Sequence, residues 1–337
     1  MKLGPIRYFS ARGNHYEVGR AIGKKQRGAI RSLFGQTKIP SALHRAAERA
    51  LPRHKERLPH YVSELSGMAE GAGVNFMDLF TYNCFEYSCS PRPHNERCTT
   101  LFWKDNTNTF IGHNEESYSA SYGQLILVRA YIKGNAPFLS FNYPGVLCGD
   151  SIAANGNGMI QALDALYPRR PNPSGFARSF IARALLEAKT LAEAQKILKA
   201  LPSMGGMHFL LYSRRERKGM SIETYANRMA VTKLGNAFVH TNHYAHMNVP
   251  HAATKRSHFR VKRVRELFDE LQKPSSENIR RILTDHRNNP YGLCKHPAGP
   301  AASATLAQVL VDIKDGTFSV TNGIPCSHRS KNYSLSF

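Results

Sequence analysis

Three short segments of the chain carry the residue types that nucleophilic catalysis requires. A thiol stands at Cys98, directly after the polar, proline-containing stretch 90–97. Residues 112–116 (Gly-His-Asn-Glu-Glu) and residues 239–243 (Val-His-Thr-Asn-His) add imidazoles, amides and carboxylates. A thiolate can attack a carbonyl carbon, and an amide N–H can stabilise the resulting oxyanion. Taken singly, each segment is more typical of a structural cysteine or histidine than of a catalyst.

Helical patterns dominate the chain before residue 98. Asn14 occupies the position of an N-cap for a helix that continues to about Phe34, with apolar residues near helical spacing behind it. Further helices are predicted at 41–51, 61–72, 78–87, 177–188, 191–200, 254–271 and 275–284. The segment 90–97 is polar and interrupted by proline, which predicts an exposed loop.

Strand patterns dominate after residue 98. Strands are predicted at 98–103, 109–113, 125–132, 138–141, 159–163, 208–212, 220–225, 229–233, 237–241, 305–313 and 317–322. Cys98 therefore opens one strand, and the segment 112–116 lies at the end of the next. The order of strand runs and helices predicts an α+β protein, an αββα sandwich of two antiparallel sheets between helical layers.

Composition sets the broad class. The 337 residues are 42% hydrophobic and 21% charged, which is typical of a folded globular protein. No apolar run approaches the roughly 18 residues of a membrane span, and the first residues lack the apolar region of a signal peptide. Six cysteines without a dense framework predict reduced thiols in a cytoplasmic protein. The net charge of +22 favours anionic partners in general without choosing among them.

The ordered set of motifs resembles the acyl-coenzyme A:6-aminopenicillanic-acid acyltransferase family of N-terminal-nucleophile cysteine hydrolases. The resemblance rests on residues 16–23, 98–100, 112–116, 152–164, 240–243 and 304–306. It implies an αββα sandwich and a zymogen that cuts itself between Arg97 and Cys98. The segment 1–97, mostly helical, becomes the small subunit, and the catalytic segment 98–337 begins at the nucleophile. The two chains are expected to remain associated.

The resemblance also implies a role for each site residue. Cys98 is the nucleophile, and its freed α-amine, with a pKa of roughly 7.7–8.0, is the base. Asn242 donates to the oxyanion, and Thr100 and Asn114 orient the nucleophile. Glu116 stands where the family usually has Asp, and it positions the amine or binds a positive group of the substrate.

Three further residues are predicted to bind substrate. Glu115 and Asp164, with Glu116, form a candidate acidic cluster suited to an amine-bearing substrate. The family has an arginine before its terminal strand where this chain has Ala302 and Ser303, and Lys295 is the nearest candidate to replace it. No metal and no cofactor are predicted.

Three functions remain open at this stage. The first is an amidohydrolase that cleaves a linear amide through an acyl-Cys98 intermediate, and the second is an acyl-coenzyme A-dependent N-acyltransferase with the same site. The third is an inactive relative that binds an anionic partner such as RNA.

Six cations lie in residues 255–265 and predict a basic helix face exposed to solvent. No RNA-binding motif accompanies them, so nucleic acid is disfavoured. The oligomeric state is left open.

Overall fold

The computed structural model describes residues 4–35, 39–84, 86, 98–252, 255–287, 291–299 and 302–336. The helices are α1 His15–Lys25, α2 Arg27–Gly35, α3 Ser41–Arg57, α4 Pro59–Ala72, α5 Phe76–Asn83, α6 Arg178–Leu185, α7 Leu191–Ala200, α8 Lys255–Leu271 and α9 Ser276–Leu283. The first strands are β1 Arg7–Gly13, β2 Thr99–Lys104, β3 Thr109–Tyr118, β4 Ile126–Ile132, β5 Phe138–Asn142, β6 Ile152–Asn155 and β7 Met159–Leu166. The remaining strands are β8 Ser203–Ser213, β9 Lys218–Ala226, β10 Arg228–Lys233, β11 Ala237–His240, β12 Ser303–Asp312, β13 Thr317–Asn322 and β14 Ser330–Ser334.

Two sheets lie between two layers of helices, which confirms the predicted α+β, αββα architecture. The larger sheet has the strand order β1-β4-β5-β6-β7-β8-β9-β10, and the smaller has the order β11-β2-β3-β12-β13-β14. Neighbouring strands are antiparallel except β1 and β4, which run parallel. Helices α1–α7 pack on the larger sheet, and α8 and α9 pack on the smaller one.

The two faces of the smaller sheet pack against different parts of the protein, because side chains alternate between the faces along each strand. Phe102 of β2 and Ile111 of β3 point into the apolar layer between the sheets. Leu101 and Phe110, their chain neighbours, point instead towards α8 and α9. Because successive side chains of a strand point to opposite faces, this parity also decides where the polar residues of β2 and β3 lie.

Helices α1 and α4 cross at very short distance. A Cβ atom on Gly19 or Gly23 of α1 would meet backbone atoms of α4, and one on Gly67 or Gly71 of α4 would meet backbone atoms of α1. These four glycines therefore allow the two backbones to touch and close the outer helical layer over the larger sheet.

The first predicted helix is correct at its beginning and divided in its middle. Asn14 accepts a hydrogen bond from the backbone N–H of Glu17, and the Glu17 carboxylate accepts one from Asn14 in return, which is a capping box. The helix ends at Lys25, and α2 starts at Arg27. Among the described residues, no helix combines the length and the apolar character needed to cross a membrane.

Candidate active site

Cys98 lies immediately before β2 of the smaller sheet. Its side chain is buried, and its φ of 78° lies in the left-handed region that non-glycine residues rarely adopt. The thiol donates to Oε1 of Glu115 over 3.4 Å, and the sulfur accepts from the backbone N–H of Glu116. Burial, followed by the nearby carboxylates of Glu115 and Asp164, raises the pKa of the Cys98 thiol well above its usual value. The thiol therefore keeps its proton in the uncut chain.

Glu115 is the carboxylate that contacts the thiol. Its Oε1 also accepts from the Tyr143 hydroxyl over 2.8 Å, and its Oε2 faces Nε2 of His113 at 3.0 Å and the Ser151 hydroxyl. Burial by itself would raise the pKa of Glu115, but the hydrogen bonds from His113, Ser151 and Tyr143 outweigh it and lower that pKa. Glu115 is therefore a buried carboxylate beside the sulfur.

Thr100 connects this group to the larger sheet. Its hydroxyl donates to Oδ1 of Asp164 over 3.0 Å, and Nδ1 of His113 lies 2.9 Å from the Thr100 hydroxyl oxygen. The single hydroxyl proton is used on Asp164, so His113 must donate from Nδ1. Since Nε2 of His113 faces the Glu115 carboxylate, the imidazole links Thr100 to Glu115.

Asp164 lies at the centre of the buried network and has no solvent exposure. Nδ1 of His208 is 2.8 Å from its Oδ2, and Nδ1 of His240 is 3.4 Å from the same atom. Burial opposes ionisation of Asp164, but the bonds from the two histidines lower the pKa of its carboxyl. His240 continues to Glu223 through Nε2 over 3.0 Å. The prediction of a substrate contact for Asp164 is not supported by this placement, because its oxygens already have partners inside the core.

Asn242 is held by Arg260, a residue of the helix face that was predicted to be exposed to solvent. Arg260 of α8 is fully buried and donates to Oδ1 of Asn242 over 2.8 Å, to Thr99 Oγ1 over 2.7 Å and to the backbone carbonyl of Cys98. An amide whose oxygen accepts from Arg260 must point its nitrogen the other way. One N–H of that nitrogen donates to the Ala165 carbonyl over 3.0 Å. The amide therefore has one further proton to offer.

Two predicted site residues lie on the opposite side of β3. The amide of Asn114 donates to the backbone carbonyls of Leu283 and Leu293, over 2.8 and 3.0 Å, on the side of α9. The Glu116 carboxylate forms a buried ion pair of 2.8 Å with Arg256 of α8. Strand β3 continues to Tyr118, so strand alternation still holds at these positions and turns both side chains away from the space between the sheets. The structure thus differs from the roles predicted for these two side chains.

The basic helix also differs from its prediction. Arg256, Arg260 and Arg263 point inwards from α8, at the spacing of one helix face, and the third pairs with Asp285 over 2.9 Å. A helix face exposed to solvent is therefore wrong for these three arginines. Lys295 lies after α9, where its backbone N–H donates to the Thr305 hydroxyl over 2.8 Å. Arg97 lies outside the described residues.

Seven residues with no predicted role in the site complete the network. They are His113, Tyr143, Ser151, His208, Glu223, His240 and Arg260. Two triads among the site residues bring possible metal-ligand atoms together: one comprises Cys98, His113 and Glu115, and the other Asp164, His208 and His240. In both, the hydrogen bonds described above account for the convergence. Strand register could have indicated His208, because this residue pairs directly with Asp164 on the adjacent strand.

The fold and the site define a buried thiol beside a buried carboxylate in an αββα sandwich. Residues 103–325 match the family described as acyl-coenzyme A:6-aminopenicillanic acid acyl-transferase. The match covers about two thirds of the sequence, and the chain belongs to this family. It begins after Cys98, so it does not include the thiol itself.

Two relatives represent two kinds of reaction. The chain is 26% identical over 224 residues to the beta-alanyl-dopamine/carcinine hydrolase of Drosophila melanogaster, covering 58% of this chain and 57% of that protein. It therefore spans little more than half the length of that relative. It is 22% identical over 327 residues to the acyl-coenzyme A:6-aminopenicillanic-acid-acyltransferase 40 kDa form of Emericella nidulans, covering 90% and 89% of the two chains.

Two solved structures are also similar. They are crystal structures of two variants of conjugated bile acid hydrolase from Clostridium perfringens, each 11% identical to this chain. Their TM-scores are 0.47 and 0.49, and they cover 70% and 71% of this chain and 97% and 94% of their own.

Proposed function

We propose that the protein is a self-processing cysteine amidohydrolase that cleaves a linear amide through an acyl-Cys98 intermediate. The observation that carries the proposal is the thiol of Cys98, which is hydrogen-bonded to Glu115 where β2 begins. The positive φ of Cys98 supports it, because such backbone conformations cost about 1–3 kcal/mol and cluster at functional sites. Family membership supports an enzyme acting on acyl groups.

Self-cleavage would begin with the thiol. The thiol loses its proton to water, the resulting thiolate bonds to the carbonyl carbon of Arg97, and the carbonyl oxygen becomes an oxyanion. The carbon–nitrogen bond then breaks, the nitrogen is protonated, and the acyl group rests on sulfur as a thioester. Water hydrolyses that thioester and leaves a carboxylate on Arg97 and a free thiol and α-amine on Cys98.

Turnover would use the same atom as the nucleophile and the freed amine as the base. An α-amine with a pKa of roughly 7.7–8.0 accepts a proton near neutral pH, which an amide nitrogen cannot do. The remaining N–H of Asn242 would donate to the oxyanion. Arg260 supports this role because it binds the side-chain oxygen of Asn242, so that the side-chain nitrogen faces Ala165.

The buried carboxylate of Glu86 favours a substrate with a free amine on its acyl side. Glu86 lines a small pocket with Ala165, Tyr167 and Arg178, next to the strand that carries Asp164. Its Oε1 accepts from the backbone N–H of Arg178, while its buried Oε2 makes no hydrogen bond among the described residues. A buried carboxylate oxygen without a donor is costly, and a substrate ammonium would supply one. The named activity of the Drosophila relative towards a beta-alanyl amide is consistent with this preference.

Intact mass spectrometry tests the proposal. The chain of 37.7 kDa should yield associated fragments of roughly 11 and 27 kDa, the larger beginning Cys-Thr-Thr. Cys98→Ala should remain uncut and inactive, whereas Cys148→Ala, at another buried thiol, should be cut normally. A wild-type chain that stays whole and shows no burst with acyl esters would contradict the proposal and favour a binding protein.

The Emericella relative supports acyl transfer as the second candidate, because it matches nearly the whole chain. A panel of β-alanyl amides, phenylacetyl amides and acyl-coenzyme A, with and without an amine acceptor, separates the two reactions. Product formed on the acceptor, with acyl-coenzyme A as the best donor, would reverse the order of the candidates.

A further inference from the structure

A second cluster of reactive side chains lies on the outer side of the smaller sheet. His286, Cys294, His296 and Cys326 bring one possible ligand atom each to within 4.8 Å of all the others. The Nε2 atoms of the two histidines are 3.0 Å apart, and Nε2 of His296 is 3.2 Å from Sγ of Cys326. Cys294 is buried, and the other three are exposed. Two thiols and two imidazoles thus converge on one point.

The backbone around the cluster is held in place without help from the cluster itself. The Asp285 carbonyl accepts from the backbone N–H groups of Leu293 and Cys294, which closes the loop that carries His286 and Cys294. The Asp285 carboxylate in turn accepts from Arg263 of α8 over 2.9 Å. On the other segment, the N–H of Ser327 donates to the Ile324 carbonyl and forms a turn at Cys326. Backbone hydrogen bonds therefore define the conformation on both sides of the cluster without a bound ligand.

The cluster has no role in the proposed reaction. Strand β12 separates its two segments in sequence, and the cluster lies beyond the ends of α9 and β13 rather than between the sheets. The Cys294 and Cys326 thiols are free rather than joined in a disulfide. The two histidine Nε2 atoms, 3.0 Å apart, can share an N–H···N hydrogen bond, or both can bind one cation through their lone pairs.

We propose that His286, Cys294, His296 and Cys326 bind one Zn²⁺ ion as a structural site. Tetrahedral zinc takes two thiolates and two imidazoles at about 2.3 and 2.0–2.1 Å, which gives ligand-to-ligand distances of roughly 3.3–3.8 Å. The separations of 3.0 and 3.2 Å lie just below that range, and no pair of the four atoms is more than 4.8 Å apart. Four protein ligands leave no place for a reacting water, and soft sulfur ligands disfavour Mg²⁺ and Ca²⁺.

The ion would join the loop after α9 to the turn after β13. The loop after α9 also supplies the Leu293 carbonyl that accepts from Asn114 and the Gly292 carbonyl that accepts from Arg256. Zinc would therefore stabilise the outer layer that holds α8 against the smaller sheet. Binding requires both thiols to lose their protons, so affinity should rise with pH.

Metal analysis of the full chain, purified under reducing conditions without chelator, tests the site. We expect about one zinc per chain, and a lower melting temperature after removal by chelator that zinc restores. Cys326→Ser and His286→Gln, both at exposed positions, should each lose most of the bound zinc. His328→Gln, on the same turn as Cys326, is the matched control and should retain it. Co²⁺ in place of zinc should give the visible absorption of a tetrahedral thiolate complex, which Cys326→Ser abolishes.

The test is independent of the proposed catalysis. Cys98→Ala should bind the same amount of zinc, because its thiol belongs to another cluster. Failure of self-cleavage would leave the zinc content unchanged, and loss of zinc would leave the nucleophile in place. The proposal is overturned if the wild-type chain binds no stoichiometric zinc even after dialysis against it. It is also overturned if thiol titration of the non-reduced protein shows a disulfide between Cys294 and Cys326.

Discussion

Arg260 donates to the side-chain oxygen of Asn242 over 2.8 Å from a fully buried position on α8. The same guanidinium contacts the carbonyl of Cys98. The helix on the outer face of the smaller sheet thus fixes both the start of β2 and the orientation of the amide opposite it. Part of the basic charge of α8 therefore lies in the protein interior, where Arg260 forms hydrogen bonds.

Replacement of Asn242 should remove an oxyanion donor. We expect Asn242→Ala to lower the turnover of the cut enzyme by about a hundredfold to a thousandfold, the usual loss for one such donor. Self-cleavage should slow as well, because it passes through a similar oxyanion. Steady-state kinetics and fragment yield measure the two effects, with exposed Asn106→Ala as the control. Near-full activity of Asn242→Ala would mean that the residue is structural.

The pH dependence of self-cleavage should follow the Cys98 thiol. The reactive form is the thiolate, and the pKa of this thiol is raised above its ordinary value of about 8.5. Below the pKa, the thiolate fraction rises about tenfold for each pH unit, so the rate should rise from pH ~6 to pH ~8 without a plateau. Time courses of fragment formation across this range measure it. A plateau that begins below pH ~7 would show a thiolate already stabilised in the precursor.

Glu86→Gln should change substrate preference. We expect KM for a β-alanyl amide to rise about tenfold to a hundredfold, the loss of one hydrogen bond to a charged group, while a neutral acyl amide is unaffected. Burial raises the pKa of Glu86 to about 7. The carboxylate is therefore lost as pH falls, and the wild-type preference should fade as pH falls through about 7. Equal effects of the variant on both substrates would assign Glu86 a structural role.

Gly67→Ala should lower the stability of the whole fold. A Cβ atom at this position of α4 would take the place of the Tyr16 backbone carbonyl, so the two helices must separate. We expect a loss of about 1–3 kcal/mol in the free energy of unfolding. Gly28→Ala is the matched control, since nothing lies near its Cβ position on α2, and it should gain about 0.5–1 kcal/mol. Urea denaturation of both variants gives the comparison.

The spacing of apolar residues predicted most of the helices and strands well, because burial of one face of each element enforces that spacing. The predicted elements near 61–72, 191–200 and 317–322 correspond closely to α4, α7 and β13. Strand β1 was missed because it is an edge strand with mostly exposed side chains, and β6 because it has only four residues. Such strands are defined by pairing with distant neighbours, which local periodicity does not record.

The site was harder to predict because its contacts depend on which face each strand turns inwards. Ending β3 at His113 left Asn114, Glu115 and Glu116 without an assigned face, whereas the strand continues and alternates them. The sulfur consequently contacts the carboxylate of Glu115 and the backbone of Glu116. For α8, the spacing of arginines was visible, but burial of three of them depends on acceptors elsewhere in the chain. No local pattern of residues 255–265 contains those partners.

The contact between Arg260 and the Cys98 carbonyl has a consequence for the order of events during protein synthesis. A nascent chain that has emerged only as far as β3 has the thiol and Glu115, but α8 has yet to be translated. The proposed self-cleavage would then wait until more than 150 further residues have been made and α8 has docked. Cleavage would thereby report completed folding, and ribosome-bound chains that stop before residue 255 should remain whole.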